Sequence, residues 1–240
     1  MQKLRILHLD SEVTVFEKPA GVLVHPPENP EYRRFTSGVD ALRMIREQTG
    51  GHVYPVHRLD RATQGVMVMA RTPRAAAVLQ RQFADRTVSK TYLLLCRGWT
   101  DERGVYDSPL ALEGDPGKAV EALTEFHTIR RFELPVPTGK HATSRFSLVC
   151  AEPKTGRFHQ IRRHFKSASH PLIGDTVHGD GRQNRIWREI TGVARLYLMS
   201  WQIAFEHPGT GQRMRFSARF SGQWHPVFDR AGCCPVSGDV

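Results

Sequence analysis

The stretch His57-Arg58-Leu59-Asp60-Arg61-Ala62-Thr63-Gln64-Gly65 sets one carboxylate among flanking guanidinium groups. Nearby cations favour the ionised carboxylate, the form that a nucleophile or general base requires. A surface aspartate in salt bridges shows the same local pattern, so the loop alone leaves both readings open. A second element runs from Pro153 to Phe165, and from Lys154 to Lys166 it carries five Lys or Arg residues and no acid. Read as a helix, it buries Phe158, Ile161, Phe165 and Ala168. At about 100° per residue, Arg162 falls about 40° from Phe158, on the shoulder of that stripe. A half-buried cation there wants an anionic partner, and Asp60 is one candidate. Arg157 and Arg163 turn toward solvent, as a basic helix face or as contacts for a polyanion. Tyr92, in Lys90-Thr91-Tyr92, is by itself an ordinary core aromatic.

The elements around these residues read as α and β mixed. Val13 and Val15, then Val22 to Val24, predict two short strands about the turn Lys18-Pro19-Ala20-Gly21. Residues 37–49 predict a short amphipathic helix stopped by Gly50-Gly51. His52 to Val56 and Val66 to Ala70 read as strands that flank the Asp60 loop. Thr72 and Pro73 start a helix with Ala75, Val78, Leu79 and Phe83 on one face. Thr91 to Cys96 is a buried strand, and Phe146, Leu148 and Cys150 mark another. Residues 113–119 and 134–143 read as exposed loops. Gln202 to Glu206 and Gln212 to Phe216 bracket His207 to Gly211 as a hairpin. Without an internal repeat or linker, the expectation is one α+β domain over residues 1–230, with a disordered tail from 231 to 240.

Composition narrows the partners. The 240 residues carry 34 Lys+Arg against 24 Asp+Glu, a net charge of +10 that favours a polyanion. No apolar run approaches the roughly 20 residues of a membrane span, and Met1 to Arg5 lacks a signal-peptide core, so the expectation is a cytoplasmic protein off the membrane. The four cysteines lack metal or disulfide spacing. His159, His164 and His170 cluster, yet spacings of five and six residues do not share a helix face, so solvated or polyanion-facing histidines are expected rather than a metal site.

Taken in order, these pieces resemble the pseudouridine synthases that modify ribosomal RNA and tRNA. The matching residues are Lys18-Pro19-Ala20-Gly21 with His25, His57-Arg58-Leu59-Asp60 with Thr63 and Gly65, and Lys90-Thr91-Tyr92. Thr155 to Arg162 and His170-Pro171-Leu172-Ile173-Gly174-Asp175 complete the series, which spans about Val13 to Phe216. Ala62 stands where Pro is common and Gln64 where Ser is common, which bears on loop conformation rather than on a reactive group. Pro153 to His164 with His178 to Arg185 resembles the branch acting on the uridine at tRNA position 65. The chain is also expected to begin at its catalytic domain. The resemblance implies a long mixed, mostly antiparallel sheet with flanking helices and a central cleft. It implies Asp60 as the catalytic aspartate, Tyr92 stacked on the target base and acting at C5, and Arg162 paired with the Asp60 carboxylate. Arg58, Lys154, Arg157, His159, Arg163 and Lys166 are the expected RNA contacts. The isomerisation needs neither cofactor nor metal, and no protein partner is predicted. A ribosomal RNA enzyme, or a catalytically idle RNA-binding or tRNA-folding protein on the same fold, are the alternatives.

Overall fold

The structure, a computed structural model, describes residues 3–26, 40–139 and 141–233. In chain order the elements begin with β1 (Arg5–Leu9), β2 (Val13–Lys18), α1 (Ala41–Thr49), β3 (Tyr54–Pro55), β4 (Gln64–Ala70) and α2 (Pro73–Ala84). Next come β5 (Ser89–Arg97), β6 (Arg103–Asp107), β7 (Leu110–Leu112), β8 (Asp115–Val120), β9 (Leu123–Leu134) and β10 (Ser144–Pro153). The series closes with α3 (Gln160–Ser167), α4 (Gly181–Thr191), β11 (Leu198–Glu206), β12 (Arg213–Ser217) and α5 (His225–Ala231). The chain forms two compact units, Met1–Lys90 with Ser200–Ala218, and Thr91–Met199 with Arg219–Val240. Every strand pairing described is antiparallel; a parallel bridge joins Leu23 to Asp40. No helix among the described residues is long and apolar enough to cross a membrane.

In the first unit β2 lies between β1 and β4, and β12 pairs with β11. All seven residues of β4 are buried, as its continuous apolar run requires. Gly65 at its start has φ +123, and a Cβ there would lie 2.1 Å from the Ser200 carbonyl oxygen, so only glycine lets the two backbones approach. Helix α2 starts as its sequence dictates, with Thr72 Oγ1 accepting from the Ala75 N–H and Pro73 in the first turn. Helix α1 is capped by Asp40 and ends at Gly50; residues 37–39 of the expected helix lie outside the described residues.

The second unit is built on β5-β10-β9-β6. Phe132, Phe146, Trp187, Tyr197 and Trp224 pack as a chain of rings with centroids 5.0–5.6 Å apart. Phe126 meets Phe165 of α3 at 5.5 Å, which seats that helix on the sheet.

Several boundaries differ from those the sequence predicts. Val22 to Val24 forms no strand; Leu23 makes an isolated bridge to Asp40. The strand at His52 to Val56 shrinks to β3. Of residues 113–119 only Glu113 and Gly114 form a turn: β8 begins at Asp115 and pairs with β7, but its residues are nearly all exposed, so no apolar alternation announces it. The basic helix begins at Gln160, because His159 adopts a left-handed backbone, φ 51 and ψ 29. Phe158 therefore precedes the helix and is 37% exposed rather than part of a buried stripe. At the C-terminus Ala231 closes α5, Gly232 caps it and the Cys233 N–H bonds to Phe228, so these three are ordered. The rest of the expected tail, 234–240, lies outside the described residues.

Candidate active site

Asp60 sits half-buried in a loop pinned from two sides. The Thr63 N–H donates to the Asp60 carbonyl at 3.0 Å, closing a tight turn over the residues that follow it. The turn then docks on the 18–22 segment: the Gly21 N–H donates to the Arg61 carbonyl at 2.8 Å, and Arg61 Nε donates back to the Gly21 carbonyl at 3.1 Å. Lys18 fastens the assembly. Its Nζ donates to the carbonyls of Pro19, Val22 and Arg61 at 2.9, 2.8 and 3.3 Å, and the residue is only 1% exposed. Burial lowers its pKa to about 7, against the opposing pull of the Asp60 charge. Arg58 is exposed. Of the two guanidinium neighbours expected to hold Asp60 ionised, Arg61 spends its Nε on backbone, while Lys18 supplies a buried positive charge acting on the carboxylate.

His57 anchors the front of the loop. Its Nε2 accepts the Val68 N–H at 3.1 Å and its ring stacks on Phe83 with centroids 4.7 Å apart. Burial, then the Lys90 charge, push its pKa down to about 3, so it is neutral and an acceptor through the physiological range.

Tyr92 and Arg162 belong to the second unit. Strand register places Tyr92 opposite Ala151, and Ala151 opposite Phe126, so the three side chains share one sheet face. That is the face Phe165 of α3 covers, which brings the helix carrying Arg162 to the side where Tyr92 stands. Arg162 is 5% exposed, more deeply buried than its place on the helix predicts. Asp175 meets it in a parallel fork, Nε to Oδ2 at 2.7 Å and Nη2 to Oδ1 at 2.8 Å. Burial works against the Asp175 charge, but Arg162 and the His178 and Val177 N–H groups outweigh it and hold the pKa at about 2.

The profile of the RNA pseudouridylate synthase family matches residues 12–167. The chain belongs to this family. A tRNA pseudouridine synthase C from Haemophilus ducreyi is 40% identical over 96% of this chain and 96% of its own. One from Vibrio cholerae is 38% identical over 95% and 96%. Human RNA Pseudouridylate Synthase Domain Containing 4 superposes with a TM-score of 0.70 over 95% of this chain and 93% of its own. Domain Containing 1 does so with the same score over 91% and 84%. At 22% identity these two show the pseudouridine synthase fold.

Around α3 of this family member, Lys154, Arg157, His159 and Arg163, all expected at RNA, already have protein partners. Lys154 bridges Glu125 at 2.8 Å and Glu152 at 3.1 Å. Arg157 Nε donates to the Glu121 carbonyl at 2.9 Å and Arg163 Nη1 to that of Ala111 at 2.9 Å, tying α3 to both sides of the β7–β8 hairpin. His159 Nδ1 lies 3.0 Å from His178 Nε2, with the His159 ring stacked on Phe158. Lys166 is exposed. His164 departs from the solvated reading: it is 1% exposed, between Thr124 Oγ1 and the Ser108 carbonyl.

Sequence reasoning missed two charges. Lys18 stands in the sequence reading as part of a turn and of the family series but without a role, although a lysine closing an apolar strand is itself a signal. Asp175 was quoted with its neighbours but given no role. A third cluster, His8, Asp10 and His207, brings its ligand atoms within 4.8 Å of one another. Both imidazole Nε2 atoms meet Asp10 Oδ2, at 2.6 and 2.9 Å, while His207 Nδ1 accepts from the Gly209 and Thr210 N–H groups. Those two donors place the His207 proton on Nε2, facing the carboxylate, which is the arrangement of a hydrogen-bonded clasp rather than of a metal ligand.

Proposed function

We propose that this chain isomerises a uridine of tRNA to pseudouridine, at position 65, in the cytoplasm. The observation that carries the reading is near-full-length identity to enzymes named for tRNA, joined to an Asp60 loop held by a buried cation. The reaction breaks the bond from ribose C1′ to base N1 and makes one from C1′ to C5; C5 loses a proton and N1 gains one, so no external reactant enters. Asp60 serves either by attacking C1′ or by taking a ribose proton on the way to a glycal. Both routes need the carboxylate charged, the form that cations favour, and Lys18 and Arg162 are the cations assigned to the chemistry. Tyr92 stacks on the uracil and helps move the C5 proton. A paired uridine must first leave its helix, at a cost of a few kcal/mol. Arg58, exposed and two residues before Asp60, fills the vacated space. Arg157, His159, Arg163 and Lys166 lie along the RNA path, while Lys154, in the same basic stretch, stays with Glu125 and Glu152.

The test is incubation with unmodified tRNA and with ribosomal RNA, followed by chemical mapping of pseudouridine. A single new pseudouridine at tRNA position 65, retained in chelator and abolished in Asp60→Asn, is the expected result. Modification of ribosomal RNA alone would move the substrate assignment, and an Asp60→Asn protein of full activity would remove Asp60 from the chemistry.

A further inference from the structure

We propose that Asp175 and Asn184 are positioning residues for Arg162, together setting the direction of its guanidinium for turnover. The inference rests on the reading of Arg162 as a catalytic group. Asp175 is 2% exposed and every contact it makes is directional. Its two oxygens take the Arg162 fork, and Oδ1 also accepts the N–H groups of Val177 and His178, both at 2.9 Å. Two backbone donors fix the plane of the carboxylate, and two parallel bonds then fix the plane of the guanidinium.

The backbone under Asp175 is held just as closely. Asn184, from α4, accepts the Gly174 N–H through Oδ1 at 2.7 Å and donates Nδ2 to the Asp175 carbonyl at 2.8 Å. One amide thus brackets both sides of the residue. Gly174 has φ +78, and a Cβ on it would fall 1.8 Å from the Arg195 carbonyl oxygen. Ile173 is sewn to β5 by its N–H to the Leu95 carbonyl and accepts from the Tyr197 N–H, both at 2.9 Å. Three separate stretches of chain therefore converge to aim one side chain that comes from α3. Net stability does not account for this: a buried ion pair is often no better than an apolar pair of the same volume. Orientation does, because a guanidinium misplaced by about 1 Å can lose most of its effect on a reaction.

The experiment compares Asp175→Asn, Asn184→Ala, Arg162→Ala and the Asp175→Asn/Arg162→Ala double variant, reading kcat and KM on unmodified tRNA together with thermal midpoints. Expected is a kcat at least tenfold lower in Asp175→Asn and severalfold lower in Asn184→Ala, with KM within twofold of wild type. The double variant should be no slower than Arg162→Ala alone. Positioning is overturned if both single variants keep kcat within twofold while Arg162→Ala is inactive, if the losses fall in KM, or if losses multiply in the double variant. Should Asp175→Asn fail to fold, Asn184→Ala decides, since its amide bonds the backbone of Gly174 and Asp175 rather than the guanidinium. An Arg162→Ala protein of normal turnover would instead overturn the reading of Arg162, and this inference with it.

Discussion

Lys18 combines two demands that pull against each other. Its ammonium is buried at the end of an apolar strand, yet it holds three carbonyls and acts on the Asp60 charge. With a folded pKa of about 7 against the usual 10.5, the unfolded chain keeps the proton across that interval while the folded chain releases it. Stability from this group therefore rises with pH between about 7 and 10.5, and below 7 the burial penalty is fully present. Activity should run the other way, because the cation beside Asp60 is lost as pH climbs through about 7. Lys18→Met should flatten the stability slope in chemical denaturation between neutral and alkaline pH. Its single-turnover rate at pH 6 should fall by about tenfold, the equivalent of ~1.4 kcal/mol. A variant with the wild-type pH–rate profile would show that the ammonium is only a loop fastener.

At the scale of elements, His57 links the Asp60 loop to β4 and α2 through the Val68 N–H and the Phe83 ring. Its folded pKa of about 3 lies below the usual 6.5, so the unfolded chain binds a proton first as the solution is acidified. The stabilisation is complete above about pH 6.5 and is lost progressively toward pH 3. His57→Gln keeps an acceptor for the N–H but does not titrate. Its unfolding midpoint should be lower than wild type at pH 7, and the gap should narrow by pH 4; parallel curves would place the acid sensitivity elsewhere. The sequence made much of this architecture legible. Thr72-Pro73, the unbroken apolar run of β4 and the hairpin about His207 to Gly211 carry their own punctuation, because caps, burial and turns act locally. What local pattern could not carry was settled by distant partners. His159 breaks the helical phase with a backbone angle that residue type does not announce, and β8 is a strand without a buried face. Of the candidate site residues, the order of Asp60, Tyr92 and Arg162 was readable, whereas the carboxylate that grips Arg162 comes from 13 residues farther on.

At the scale of the whole molecule, a net charge of +10 means that tRNA affinity should fall steeply with salt, as bound counterions are released from the phosphates. The slope of log Kd against log salt measures how many cations meet phosphate, about 0.7 to 0.9 per contact. Not every basic residue can contribute equally. Lys166 stands exposed at the end of α3, and its replacement by Ala should reduce the slope by nearly one contact. Lys154 is in the same basic stretch but lies between two carboxylates at 2.8 and 3.1 Å. Moving it to phosphate would strand Glu125 and Glu152 beside an anion, a repulsion that offsets the new contact. Lys154→Ala should therefore leave the slope within error, or weaken binding slightly at all salts alike. Filter binding of one unmodified tRNA between 50 and 300 mM salt separates the two, and equal slope changes for both lysines would show that RNA takes Lys154 away from its carboxylates.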